Sequence, residues 1–231
     1  MPVERLPSVE ALCSKIDSTF SPPGASWQEV LTFATKSAQQ GFRAVCVQGC
    51  WAADVKQVIR GGNSMLSVFV GYTLGGTSTE SKVVEVERGV ADGADMFEYL
   101  PNLGYLRSGL FSRFKGEMAA VVTAAKGRPV NIALELPQLT VEERIRAAGL
   151  AEEAGVASVV NSSGWGKGGP ATDEGIRFLK TMVGSKVKVK AVGGIKDLDT
   201  ALHLFGNGAD VLGTWSGFQI VDELRQRRAK G

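Results

Sequence analysis

The chain has 231 residues, 44% of them hydrophobic, with 26 Lys and Arg against 24 Asp and Glu for a formal charge of +2. That length suits one α/β barrel or two small domains, and one domain spanning 1–231 is favoured. The balanced charge, with no long run of one sign except QRRAK near the end, argues against nucleic acid or a membrane surface as partner.

The opening MPVERLPSVEAL carries charge too early for a signal peptide, and no apolar run approaches the roughly 20 residues of a membrane span. A soluble, cytoplasmic protein is expected. Cys13, Cys46 and Cys50 are too few and too irregular for a disulfide framework or a zinc site, so reduced thiols are expected. The single histidine, His203, falls on a predicted helix, where a structural role is favoured over a nucleophile pair. No metal and no cofactor are expected.

In chain order, strands are read near 14–18, 43–48, 66–71, 95–100, 130–135, 156–161, 187–192 and 209–213. Between them, Ser26-Trp27-Gln28-Glu29 and Thr140-Val141-Glu142-Glu143 have the capping-box spacing that opens a helix. Further helices are read at 51–60, 78–91, 107–125, 172–182, 197–206 and 216–229. A phrase recurs in SAQQGFRAVCVQ, GVADGADMFEYL, AEEAGVASVV and LFGNGADVLGT, where Gly41, Gly93, Gly155 and Gly208 fit the left-handed position just past a helix end. About eight strands alternating with helices predict a parallel sheet closed as a TIM (β/α)8 barrel, with an open doubly wound sheet as the competing fold.

In such a barrel the chemistry sits at the C-terminal strand ends. Strand seven, VKVKAVGG, places Lys188 and Lys190 on one face; if that face is the interior, at least one amine is desolvated, and otherwise both reach past a helix to solvent. Strand four supplies Glu98 among apolar neighbours, as a general acid/base, a counter-ion to Lys190 or a carboxylate at the sheet rim. Glu135 and Asp17 end strands five and one the same way, so three carboxylates and a lysine could meet at one mouth. Val192-Gly193-Gly194 and Gly213-Thr214-Trp215-Ser216-Gly217 can offer backbone amides to a phosphate or simply make tight turns. Lys167, inside GWGKGG, could add a point charge over the same anion.

The phrases GADMFEYLPNLGYLRSG, VKAVGGIKDLDTALHLFGNGADVLGTWSG, AVCVQGCW, GYTLGGTSTESKVVEVERGVADG and SSGWGKGGPAT together resemble the class I, Schiff-base type of deoxyribose-phosphate aldolase, over nearly the whole chain from Cys13 to Ile220. The resemblance implies a metal-free TIM barrel that cleaves a 2-deoxy sugar phosphate to acetaldehyde and a triose phosphate, or runs the reverse condensation. It also implies a homodimer. Carried over residue by residue, Lys190 matches the family's second lysine, the one that lowers the pKa of the imine-forming lysine. Glu98 matches the proton-relay aspartate with one more methylene. Asp17 and Thr19 match the polar pair of strand one, Cys46 a cysteine of strand two, and Gly193, Gly194 and Ser216 the phosphate turns, with Trp215 replacing a serine.

Aligning on Gly164-Trp165-Gly166 puts Val160 at the imine-forming lysine, followed by Asn161, Ser162 and Ser163. Valine cannot form an imine. Two chemistries stay open. One is an aldolase that moves the nucleophile to Lys190, with Lys188 depressing its pKa and Glu98 shuttling protons. The other is a non-imine isomerase, cyclase or eliminase built on Glu98, Asp17 and protonated Lys190. A ligand-binding member without catalysis is disfavoured, because an inactive site has no need of buried charge. A small-molecule substrate is expected either way. It touches Thr19, Cys46, Val160, Asn161, Gly164, Lys167, Gly193, Gly194, Trp215 and Ser216.

Overall fold

The computed structural model describes residues 6–230. Eight strands form a closed parallel barrel in chain order: β1 (Ile16–Thr19), β2 (Ala44–Val47), β3 (Met65–Val70), β4 (Met96–Tyr99), β5 (Val130–Ala133), β6 (Ser158–Val160), β7 (Lys188–Val192) and β8 (Val211–Thr214), with β8 returning to β1. A short α1 (Val9–Cys13) precedes β1. The connecting helices are α2 (Trp27–Gln40), α3 (Ala52–Ile59), α4 (Thr79–Ala91), α5 (Leu103–Arg107), α6 (Phe111–Ala124), α7 (Val141–Glu153), α8 (Asp173–Met182), α9 (Leu198–Gly206) and α10 (Gly217–Lys230). No helix among the described residues is long and apolar enough to cross a membrane.

Local chemistry sets the helix starts. Ser26 Oγ accepts from Glu29 N at 3.4 Å while Glu29 returns a carboxylate to Ser26 N at 2.8 Å, and Thr140 with Glu143 repeats the exchange at 3.2 and 2.8 Å. The helix expected over 107–125 starts later, as α6, and a separate short helix, α5, precedes it. Asn102 caps α5 through Gly104 N at 3.0 Å, Gly109 turns the chain at φ +70°, and α6 begins at Phe111. Strand six is shorter than expected because Asn161 replaces ladder bonds with its side chain: its amide donates to Val192 O at 3.0 Å and accepts from Val192 N at 2.8 Å.

The strands present opposite characters on their two faces. Val45, Leu66, Phe97, Ile132, Val159, Val189 and Leu212 face the helices and are fully buried, forming the apolar shell that holds the barrel together. The interior face instead carries Asp17, Cys46, Ser67, Glu98, Asn131 and Lys190, all buried. Lys188 shares that face but opens β7 at the barrel's N-terminal end and is exposed. The expectation that Lys188 lowers the Lys190 pKa therefore fails: its amine is in water, away from the strand ends where Lys190 points.

Candidate active site

Lys190 lies in the middle of β7, paired in register with Val160 on one side and Val211 on the other. Its stem passes over Gly213, where an added Cβ would come within 3.0 Å of the lysine Cε, so the absence of a side chain at 213 makes room for it. Nζ donates to Asp17 Oδ2 at 2.7 Å and Glu98 Oε1 at 2.8 Å across the barrel. Arg43, from the start of β2, clamps Asp17 from below with Nε to Oδ1 and Nη2 to Oδ2, both at 2.7 Å. Glu98 Oε1 also receives Asn131 Nδ2 at 2.7 Å and Ser67 Oγ at 3.2 Å. The centre thus holds two carboxylates and two cations, with the Asp17 side chain 0% and the Lys190 side chain 2% exposed.

Such burial decides the protonation states. Desolvation alone would lower the Lys190 pKa, but the charges of Asp17 and Glu98 outweigh it and raise the amine above the ordinary lysine value. Burial would push Asp17 up, and Lys190 and Arg43 together pull it below the usual carboxylate range. Cys46, in register with Thr19, is driven well above a normal thiol by burial and by Glu98, so it stands as a thiol.

Beside this polar centre runs an apolar wall. Val160, Ala133 and Leu100 are buried against one another, with Tyr72 and Val192 packed on them. Val160, Ala133 and Lys190 are consecutive partners across β5, β6 and β7, so the wall and the amine share one layer of the interior.

Next to it a cavity of about 290 Å³ is lined by Thr19, Gly164, Trp165, Gly193, Gly194, Lys196, Thr214 and Trp215. Gly193 holds φ +100°, and a Cβ there would lie 2.5 Å from the Gly169 carbonyl oxygen, so this turn requires glycine. The structure gathers Asp17, Glu98 and Lys190 into contact and brings Thr19, Gly164, Gly193, Gly194 and Trp215 to the cavity. Other expected residues lie elsewhere. Glu135 does not reach Lys190; it sits at φ +50° beyond β5, and its carboxylate accepts from Ser163 N and from Gln138 Nε2 at 3.0 Å, fastening the loop after β6. Asn161 spends its amide on β7. Lys167 is exposed on a 3-10 turn, Gly166–Gly168, away from the cavity lining, and the Ser216 amide is taken by Thr214 Oγ1 at 3.0 Å.

Sequence reasoning missed Arg43, Asn131, Tyr72 and Lys196. Asn131 breaks an apolar strand phrase, VNIAL, on the barrel-facing parity, and that was the available signal; Arg43, just before β2, falls on the outward parity of Val45 and gave none. Lys196 follows the glycine pair after one residue, Ile195.

A parallel barrel with a buried lysine between two carboxylates, beside a glycine-turned cavity with a cation on its rim, defines an aldolase-type lyase. The comparisons with known proteins agree. The chain is 37% identical to the deoxyribose-phosphate aldolase of Thermococcus kodakarensis over 211 residues, covering 90% of this chain and 94% of that protein. It is 34% identical to that of Desulfitobacterium hafniense over 212 residues, 91% and 97% of the two chains. Among solved structures, QR15, an aldolase, superposes with a TM-score of 0.90 at 29% identity, covering 95% of this chain and 98% of that one. The tetrameric deoxyribose phosphate aldolase from Aeropyrum pernix gives 0.87 at 25%, over 95% and 93%. No family model matches the chain. The chain belongs to the deoxyribose-phosphate aldolase family.

Proposed function

We propose that the protein cleaves, or in reverse forms, the carbon–carbon bond of a hydroxy-aldehyde of the deoxy sugar phosphate type, with Lys190 as its amine. One observation carries this reading: Lys190 Nζ lies 2.7 and 2.8 Å from Asp17 and Glu98 at the heart of the barrel. The names of the relatives support the substrate class, and the glycine-lined cavity with Lys196 suits the phosphate.

Glu98 takes a proton from the ammonium, leaving a neutral amine that attacks the substrate carbonyl. Glu98 then returns the proton to the carbinolamine hydroxyl, which leaves as water and gives the iminium. Glu98 next removes the proton of the β-hydroxyl as the carbon–carbon bond breaks and its electrons pass to the iminium nitrogen. Asp17 stays paired with Arg43 and holds the amine in place. Thr19, Cys46 and Val160 border the reacting carbon, and Gly193, Gly194 and Trp215 border the phosphate.

The raised pKa of Lys190 favours a second reading, in which the lysine remains an ammonium and stabilises an enolate without a covalent bond. Borohydride separates the two. Reduction in the presence of deoxyribose 5-phosphate or acetaldehyde is expected to leave a mass adduct on the peptide holding Lys190, and Lys190→Met is expected to abolish both adduct and cleavage. Cleavage without any adduct would establish the enolate route, and undiminished turnover in Lys190→Met would refute both.

The same reading has the enzyme working in the cytoplasm as a homodimer. Val141 and Ile145 are exposed one turn apart on α7, and Leu110 and Phe111 are exposed at the start of α6, with the Arg146 guanidinium 5.1 Å from the Phe111 ring; these side chains suit a subunit contact. Sedimentation of the purified chain tests the stoichiometry.

A further inference from the structure

The hydroxyls and amides around Lys190 are already committed to the protein. Ser67 and Asn131 donate to Glu98, Thr19 Oγ1 donates to the Asp17 carbonyl at 3.2 Å, and Asn161 is bonded at both ends of its amide to Val192. Ser162 Oγ donates to Gly169 O at 3.2 Å and accepts from Gly164 N at 2.9 Å. Tyr72 differs. Its ring packs on Leu100, Ala133 and Val160 and lies 4.5 Å from the Phe69 ring, and its hydroxyl has no hydrogen-bond partner among the described residues.

The segment carrying Tyr72 is held from both sides. Gly71 N donates to Glu85 Oε2 at 2.7 Å, and the buried Lys82 ammonium donates to Gly75 O at 2.7 Å while pairing with Glu117 at 2.8 Å. A free phenol on a pinned loop is a preorganised donor rather than a mobile one. Tyr72 also lines a groove of about 650 Å³ with Phe69, Gln48, Ser21 and Trp165.

We infer that Tyr72 is a catalytic hydrogen-bond donor, its O–H directed at the substrate oxygen on the carbon whose bond is broken or formed. This rests on the aldol reading above. The wall of Leu100, Ala133 and Val160 offers that oxygen nothing, and a hydroxyl or alkoxide buried there without a partner would be strongly disfavoured. Burial and the nearby charge of Glu98 push the phenol well above its ordinary value, so the group keeps its proton and acts as a donor, not a base. In cleavage the β-hydroxyl gives its proton to Glu98 and becomes a carbonyl while Tyr72 holds the oxygen. In synthesis the carbonyl oxygen of the acceptor aldehyde becomes an alkoxide that Tyr72 stabilises, then takes the proton back from Glu98. No net proton leaves the tyrosine.

The test is Tyr72→Phe, which removes one oxygen and keeps the ring. Removing one donor to a developing oxyanion lowers kcat by about 10²–10³-fold. That loss is expected for deoxyribose 5-phosphate cleavage with KM little changed. Borohydride trapping of acetaldehyde, which lacks the second oxygen, should proceed at the wild-type rate. Wild-type kcat in the variant, or trapping that falls in proportion to cleavage, would overturn the inference. If wild-type enzyme cleaves but is never trapped, the imine at Lys190 falls, and the kcat ratio still decides the role of Tyr72. If wild-type enzyme neither cleaves nor is trapped, both readings fall. As a second measurement, difluorotyrosine incorporated at position 72 preserves the packing and is expected to move the alkaline limb of the kcat profile to lower pH; an unmoved limb counts against the inference.

Discussion

Replacing Asp17 by Asn tests the charge arrangement at the barrel centre. Asp17 receives three charge-assisted hydrogen bonds, two from Arg43 and one from Lys190, each 2.7 Å long, with its side chain 0% exposed. The amide offers one acceptor oxygen and turns N–H toward a cation, so Arg43 and Lys190 are left with Glu98 as the single anion in a buried cluster. Removing one partner of a buried pair costs about 3–5 kcal/mol. In a chain of this size each kcal/mol is worth roughly 2–4 °C, so a fall of about 6–20 °C in Tm is expected.

The pH dependence separates lost charge from lost packing in Asp17→Asn. Lys190 has a raised folded pKa, so its stabilisation is full below the unfolded lysine value of about 10.4 and is lost as pH rises toward the folded value. In Asp17→Asn the unpaired Arg43 adds a repulsion on the Lys190 ammonium while Glu98 remains its one anion, a penalty present at neutral pH that vanishes when the amine is neutral. Asp17 has a lowered folded pKa, so its own contribution is present above about 3.9 and lost as pH falls further. The stability gap, measured by urea unfolding followed through tryptophan fluorescence, should therefore be widest near pH 7 and narrow toward pH 11 and below pH 4. A gap under about 1 kcal/mol at pH 7, or one that is flat with pH, would refute the reasoning.

Lys82→Met is expected to destabilise by about 3–5 kcal/mol in the same urea assay, because Glu117, whose Oε2 is buried without a partner, loses its counter-charge. Gly193→Ala should cost about 1–3 kcal/mol from the left-handed φ alone and more from the 2.5 Å approach to Gly169 O, and inorganic phosphate should protect it less against thermal unfolding than it protects wild type. Val160→Lys places an amine next to Lys190 in register; repulsion should lower one of the two pKa values, and mass spectrometry after borohydride reduction with acetaldehyde should find a new adduct on the peptide containing position 160.

Much of the barrel was legible because its signals are local. Capping boxes at Ser26 and Thr140 and the turn glycines mark helix ends without reference to anything distant, and the alternation of lysines in VKVKAVGG correctly put Lys188 and Lys190 on one face. What alternation cannot supply is depth. A period of two names the face, whereas the height of a residue in the barrel depends on the stagger of all eight strands. Lys188 and Lys190, two residues apart, therefore end in opposite environments, one in water and one between carboxylates. The same ignorance of depth placed Glu135 at the mouth, when a left-handed turn beyond β5 sends its carboxylate to the Ser163 amide. Arg43 was overlooked because its partner Asp17 is 26 residues away and only the closure of β1 on β2 brings them together.

The apolar wall and the raised Lys190 pKa are two aspects of one arrangement. Asp17 and Glu98 carry two negative charges, Lys190 and Arg43 two positive ones, and the centre is neutral as it stands. A cation on the strand beside Lys190 would have to be desolvated against that balance, and it would lower the Lys190 pKa. Val160 supplies no such cation, so nothing on β6 helps the ammonium lose its proton. On the Lys190 reading the neutral amine must then come from direct transfer across the 2.8 Å contact with Glu98, which becomes easier once a substrate displaces water and its carbonyl begins to accept the lone pair. Asn131 and Ser67, both donating to the same Glu98 oxygen, oppose that transfer by stabilising the carboxylate. On that reading the amine is held in reserve as an ammonium until a carbonyl is present, with the proton passing only between Lys190, Glu98 and the substrate.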